Sequence, residues 1–445
     1  MYRFPEELYT DIRIETVKTN SITYENNELK QNKLKVEKGA FIRIFDGERW
    51  YYSSTTNIEE IQKEIDELSK LAKKNENIYD NPVVKRIEVN KCNDIKYKNN
   101  NIIEVSNDEK IKLLESYLPI NNEFPEILNS RLLYKDTYTI KEIISSKGTD
   151  VTFDIQNAYI ANRYQLSIDG MTQNGGETIY EADFNKLFNK QDLFREEIIK
   201  NLEYAKNAVP VKKGVYTCIL SPVVAGVFAH ESFGHKSESD FMIGDEKMME
   251  EWSIGTKVGS EILNIIDCGN IEGSGYVPYD DEGTKAKENY LIKDGILNGR
   301  LHSAYTAGAL NEDVTGNSRA INFEYEPIVR MTTTYIGAGN LTKEELFNGV
   351  KEGIYIDSFI HGSGMSTFTI APSRAYMIRD GKISEPVKVS VITGNVMSTL
   401  NEIDGLSNEV EIKSLGTGGC GKMEQWPLSV GLGGPYVRVN KINVE

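Results

Sequence analysis

The stretch SPVVAGVFAHESFGH, residues 221–235, decides how the second half of this 445-residue chain is read. Ser221 is a good helix N-cap and Pro222 suits the first helical position, so a helix is predicted to begin there. It is apolar nearly all round until His230, which implies a helix buried on every side. A His-Glu pair at the end of such a helix is costly unless both groups find partners, and a divalent metal is one. The spacing is HExxxH. At about 100° per residue, positions five apart diverge by roughly 140° and cannot grip one ion. A single wider turn of about 4.4 residues brings them within roughly 50° of each other, and such π turns concentrate at functional sites. Gly234 offers a second route, by letting the helix unwind before His235.

The chain has only four histidines, His230, His235, His302 and His361. Two of the four fall in this one motif, which weighs against a pair of core histidines satisfied by ordinary hydrogen bonds. A catalytic zinc takes three protein ligands and keeps a fourth position open. Candidates for the third are Glu238, Asp240, Cys420, His302 and His361. Cys420 lies in Gly416-Thr417-Gly418-Gly419-Cys420-Gly421-Lys422, whose glycines allow close backbone approach, and this favours it. Cys92, Cys218 and Cys268 read as small buried hydrophobes. The same loop imitates a phosphate-binding Gly-x-x-x-x-Gly-Lys, but Met423 stands where Ser or Thr would hold magnesium and no helix follows, so that reading is rejected.

Outward from this segment the chain reads as α+β. An N-terminal mixed α/β domain, residues 1–208, is followed by a C-terminal domain, residues 209–445, dominated by antiparallel sheet and carrying the buried metal-binding helix. Phe41 to Phe45, Asp46-Gly47 and Trp50 to Tyr52 suggest a hairpin, as do Asp169-Gly170, Asp294-Gly295 and Asp380-Gly381. Thr56 and Glu59 fit a capping box ahead of Ile58, Ile61, Ile65, Leu68 and Leu71, and Ser106 with Glu109 fits a second. A third helix is expected around 193–208, with Phe194, Ile198, Ile199 and Leu202 inward, ending before Pro210.

A net charge of -16 argues against duplex binding and against docking on anionic lipid. No run of about 18 apolar residues predicts a membrane span, and the first residues lack the basic start and apolar core of a secretory signal. Four scattered cysteines make no disulfide framework, so a cytoplasmic protein with reduced thiols is the expectation.

Taken in order, several blocks resemble one family. After HExxxH come Lys236-Ser237-Glu238-Ser239-Asp240, then Asp280-Asp281-Glu282-Gly283-Thr284 and residues 291–297 (LIKDGIL). Thr315-Gly316-Asn317-Ser318-Arg319, residues 327–335 (PIVRMTTTY), residues 420–425 (CGKMEQ) and residues 433–439 (GGPYVRV) follow. The chain is similar over nearly its whole length to the TldD/PmbA, or modulator-of-gyrase, family of metallopeptidases, and to its catalytic TldD-like branch, because the sister branch lacks the motif. The resemblance implies zinc held by His230, His235 and Cys420, with Glu231 as general base. It also implies a homodimer, or a heterodimer with a PmbA-like sister subunit, whose cavity admits short or unfolded peptides. Met423-Glu424 departs from the small residues common after Cys-Gly-Lys, so specificity is not carried over. Two other readings remain: a scaffold or partner subunit whose metal is structural, closed by a fourth ligand such as His302, His361 or Glu238, and a regulator acting by binding. Arg319, Asn317 and Tyr335 are oxyanion candidates by residue type only.

Overall fold

Tight turns organise the N-terminal half. Asn26 and Asn27, both at positive φ (48° and 69°), join strand Tyr9–Glu25 to Glu28–Phe45 in the left-handed geometry that matches strand twist. Asp169-Gly170 does the same between Asp150–Ile168 and Met171–Glu181. The computed structural model describes residues 2–445. Its first sheet runs Trp50–Thr55, Glu28–Phe45, Tyr9–Glu25, Ile127–Ser145, Asp150–Ile168. Met171–Glu181 (antiparallel) and Lys91–Asp94 (parallel) share the outer edge of the last strand. The Asp46-Gly47 hairpin exists, but four residues close it: Phe45 pairs with Trp50, and Asp46 Oδ1 accepts the N–H groups of Glu48 and Arg49 at 2.9 and 2.8 Å.

Helices cover this sheet where the periodicity places them, with three departures. Helix Ile61–Ser69 buries Ile61, Ile65 and Leu68 against Ile12, Ile42 and Ile44. The expected Thr56–Glu59 capping box does not form, because a 3₁₀ turn, Ile58–Glu60, leads into the helix with no side-chain cap. Leu71 lies past the helix end and is exposed. The Ser106–Glu109 box does form, at the start of Asn107–Glu115. Helix Gln191–Asn207 buries Phe194, Ile198 and Leu202, but Ile199, turned about 100° from Ile198, faces solvent.

In the C-terminal half two sheets enclose one helix. The first runs Ile296–Leu297, Glu288–Lys293, Ile265–Cys268, Thr333–Ile336, Gly431–Gly434, Glu411–Ser414. The second runs Glu352–Gly364, Gly214–Leu220, Val437–Val444, Ile392–Asn395, Thr367–Arg379 and closes on itself, since Thr367–Arg379 also pairs with Glu352–Gly364. Pairing is mostly antiparallel, with Asp294-Gly295 and Asp380-Gly381 as the expected positive-φ turns. Parallel pairs occur where the chain crosses between distant segments, at Thr333–Ile336 with Gly431–Gly434 and at Glu352–Gly364 with Gly214–Leu220. Helix Pro222–Ala229 packs against strands of both sheets. Its Val224, Val227 and Phe228 join the core with Ile336, Phe368, Ile370 and Leu432, and each such side chain contributes about 1.5–3 kcal/mol by burial.

A buried ionic cluster joins the two halves. Arg43 bridges Asp11 (2.9 Å) and Glu282 (2.8 Å), while Lys141 and Arg13 meet Asp281 at 2.6 and 3.3 Å. Asp280 folds that acidic loop by accepting N–H groups of Glu282, Thr284 and Ser318. No helix among the described residues is long and apolar enough to cross a membrane.

Candidate metal centre

The site is built on the buried helix. Ser221 Oγ accepts the Val224 N–H (3.4 Å) and donates to Asp357 O (2.7 Å), and Pro222 follows at the first helical position. Gly226 lets the helix lie backbone to backbone on strand Gly431–Gly434, since a Cβ there would come within 2.7 Å of Gly433 Cα. At His230 the helix widens into a π turn, His230–Gly234, and the His235 N–H donates to His230 O five residues back. The wider turn brings the two imidazoles onto one side, with ring centroids 5.0 Å apart and planes at 81°. Gly234 keeps helical angles (φ -55°, ψ -54°), so unwinding plays no part. Its missing Cβ makes room for the sulfur of Met331.

The third donor comes from the far end of the chain. Cys420 opens strand Cys420–Lys422, hairpinned to Gln425–Leu428, and its Sγ lies 3.5 Å from His235 Nε2. The donor atoms of His230, His235 and Cys420 all lie within 4.8 Å of one another. His230 Nδ1 is buried with no hydrogen-bond partner. Burial alone would push the Cys420 thiol up, but His230 and His235 outweigh it and hold it down to about 5. Burial opposes charge on His235 too, yet its hydrogen bonds to Cys420 and Glu238 raise it to about 10. The metal-free pair is thus thiolate and imidazolium, and a metal would take the place of the shared proton. Two imidazoles and a thiolate fit a borderline-soft divalent ion.

The remaining candidates are placed elsewhere. Glu238 is fully buried behind His235, with Oε2 accepting from Nδ1 at 3.1 Å. Asp240 holds Lys422 Nζ at 2.6 and 2.8 Å. His302 is engaged by Thr306 Oγ1 (3.1 Å) and Glu312 (2.9 Å), and His361 is exposed on strand Glu352–Gly364. Among the described residues, the donor group at this centre numbers three, which leaves a fourth position for water or substrate. Glu231 follows His230 in the π turn, beneath Gly362 and Gly364. A Cβ at Gly362 would come within 3.1 Å of Glu231 Cγ, and one at Gly364 within 2.8 Å of the Glu231 carbonyl carbon. Arg319 donates to the carbonyls of Met331 and Ser429, and Asn317 donates to Asp267 and Arg330 O, so both hold structure. Tyr335 is half-buried, and burial pushes its phenol up to about 12.

Sequence reasoning passed over two residues here. Arg330 is fully buried and donates to Cys420 O at 2.8 Å, fixing the ligand strand. Lys422 stands in the sequence in a rejected phosphate loop and in the family block CGKMEQ, with no role assigned by either. The signal that finds it is strand alternation, which puts residues 420 and 422 on one face.

Comparison with known proteins agrees with this architecture. Residues 213–445 match the PmbA/TldA metallopeptidase C-terminal domain, and residues 10–75 match PmbA/TldA metallopeptidase domain 1. A zinc metalloprotease TldD homologue of Saccharolobus solfataricus is 30% identical over 98% of this chain and 96% of its own. A metalloprotease of Synechocystis is 41% identical over 239 residues, a match spanning 53% of this chain and about half (51%) of that relative's length. The crystal structure of TldE from Thermococcus kodakarensis superposes with a TM-score of 0.74 at 16% identity, covering 98% of this chain and 96% of that one, a likeness of fold. With residues 213–445 and 10–75 matched by two domains of one family, and a full-length relative 30% identical over 98% of the chain, this chain belongs to the TldD/PmbA family of metallopeptidases.

Proposed function

We propose that this chain is a zinc-dependent peptidase that holds the ion with His230, His235 and Cys420 and uses Glu231 as general base. The observation that carries the reading is the open three-donor group with a carboxylate on the same π turn. Zinc on two imidazoles and a thiolate would supply a Lewis acid that acidifies water and polarises a carbonyl. Zinc is also the metal named for the Saccharolobus relative. Glu231 takes the proton from the attacking water and hands it to the leaving amine. Its neighbours Gly362 and Gly364 carry no side chains that would crowd that exchange.

The substrates in this reading are short or unfolded peptides, admitted to the cavity of a homodimer or of a heterodimer with a PmbA-like sister subunit. The chain works in the cytoplasm, with neither nucleic acid nor membrane as a partner. A scaffold with a closed structural site is the weaker reading, because His302 and Glu238, two of the residues that would close it, are engaged with other groups.

Hydrolysis of a mixed pool of unfolded peptides by wild type and by Glu231→Ala, each loaded with zinc, tests the proposal. The expected outcome is cleavage by wild type and a loss of about a hundredfold or more in the variant, with zinc still bound. Equal rates would remove Glu231 from its role. Absence of cleavage by wild type, alone and with a sister subunit, would return the scaffold reading.

A further inference from the structure

Glu238 is a fully buried carboxylate, and burying an unpaired charge is costly enough that its partners need explaining. One oxygen, Oε2, accepts from His235 Nδ1 at 3.1 Å and lies 3.3 Å from Lys422 Nζ. Lys422 is itself buried. Its ammonium also donates to Asp240 Oδ1 and Oδ2 (2.6 and 2.8 Å) and to Val329 O (2.8 Å). Cys420 and Lys422 are buried and Gly421 between them is exposed, so the ligand and the lysine project from one face of the same strand.

We infer that Glu238 and Lys422 are positioning residues for the metal site, forming a buried clamp that ties the His235 segment to the Cys420 strand. The inference rests on the metal-site reading above. Glu238 holds the Nδ1 proton of His235, so that when a metal takes the place of the proton shared with Cys420 it is Nε2, facing the sulfur, that would be free to bind. Lys422 neutralises Glu238 and Asp240 together. Because it stands two residues from Cys420, it also sets how far the thiolate lies from the imidazole. The ligands come from chain positions 185 apart. The π turn aligns the histidines with each other, and the clamp aligns them with the sulfur. Outer-shell carboxylates of this kind hold ring orientation and ligand basicity, and their loss costs metal affinity about 10–100-fold.

The test uses Glu238→Gln, Lys422→Met and the double variant in the full-length protein. Zinc affinity is read by chelator competition, ligand geometry by the visible spectrum with cobalt(II) alone, and stability by metal-free denaturant unfolding. Each single variant is expected to bind zinc about 10–100-fold more weakly with an altered cobalt spectrum. The double variant is expected to lose less than the product of the two, because both substitutions break the same Glu238–Lys422 contact and Asp240 loses its ammonium partner in Lys422→Met and in the double variant alike. Wild-type affinity and spectrum in folded Glu238→Gln would overturn the clamp, leaving Glu238 a merely structural residue. Should Lys422→Met fail to fold, Glu238→Gln decides alone. If wild type itself takes up no zinc, the metal-site reading fails and the clamp falls with it.

Discussion

The titration of Cys420 in metal-free protein offers a direct check on the geometry of the centre. An ordinary thiol at 9.0 is about 1% thiolate at pH 7, whereas a thiol held at about 5 is about 99% thiolate. The linkage to stability follows from both partners. Cys420 is depressed in the folded state, so its contribution is fully present above pH 9 and is lost as pH falls through about 5. His235 is raised from 6.5 to about 10, so its contribution is fully present below 6.5 and is lost as pH rises through about 10. From pH 5 to 6.5 the unfolded chain holds both protons and the folded pair holds one, so metal-free stability rises. Over about 1.5 pH units the gain is about 2 kcal/mol. From 6.5 to 9 both states hold one proton and the curve is flat, and from 9 to 10 it falls. The assays are the ultraviolet absorbance of the thiolate, taken as wild type minus Cys420→Ser, and denaturant unfolding against a Cys420→Ser/His235→Gln baseline. An absorbance midpoint near 9, or a stability difference that does not rise between pH 5 and 6.5, would refute the thiolate–imidazolium pair.

Two further predictions test how the scaffold holds the site. Gly226→Ala drives a Cβ into the backbone of Gly433, whereas Gly234→Ala meets the flexible sulfur of Met331. The first should cost the upper part of the usual overpacking range of about 1–3 kcal/mol and weaken zinc binding, and the second should cost less. The reverse order in denaturant unfolding and chelator competition would contradict the backbone-contact argument. Ser106→Ala removes a formed capping box and should cost about 1 kcal/mol, while Thr56→Ala, where no box forms, should stay within about 0.5 kcal/mol. Equal effects of the two would show that the helix starts are assigned wrongly.

Local rules succeeded where one segment decides its own conformation. Ser221 and Pro222 announced the helix start, and the five-residue spacing of His230 and His235 demanded the π turn that is present. Asp-Gly pairs marked hairpins because positive φ is a property of two residues. The same rules failed where a distant contact intervened. Unwinding at Gly234, the second route the sequence offers, does not occur: the residue is helical, and it is small because Met331 packs against it, a neighbour 97 positions away that no window around Gly234 contains. Ile199 looked inward by periodicity, but only the sheet beneath the helix determines how wide the buried stripe is.

The helix that carries the centre, the turn its spacing requires, and the residue types able to bind a soft divalent ion are all legible in residues 221–235 and 416–422. Those follow from φ/ψ preferences, hydrogen-bond spacing and side-chain chemistry, all of which act within a few residues. Long-range packing is what brings Cys420 to His235, sets Glu238 behind the imidazole as its hydrogen-bond acceptor, and places Lys422 against Glu238. The reason is physical: a carboxylate next to a metal motif is equally able to ligate, to orient or to face water. Its role is chosen by burial and by the charges that other parts of the chain bring to it.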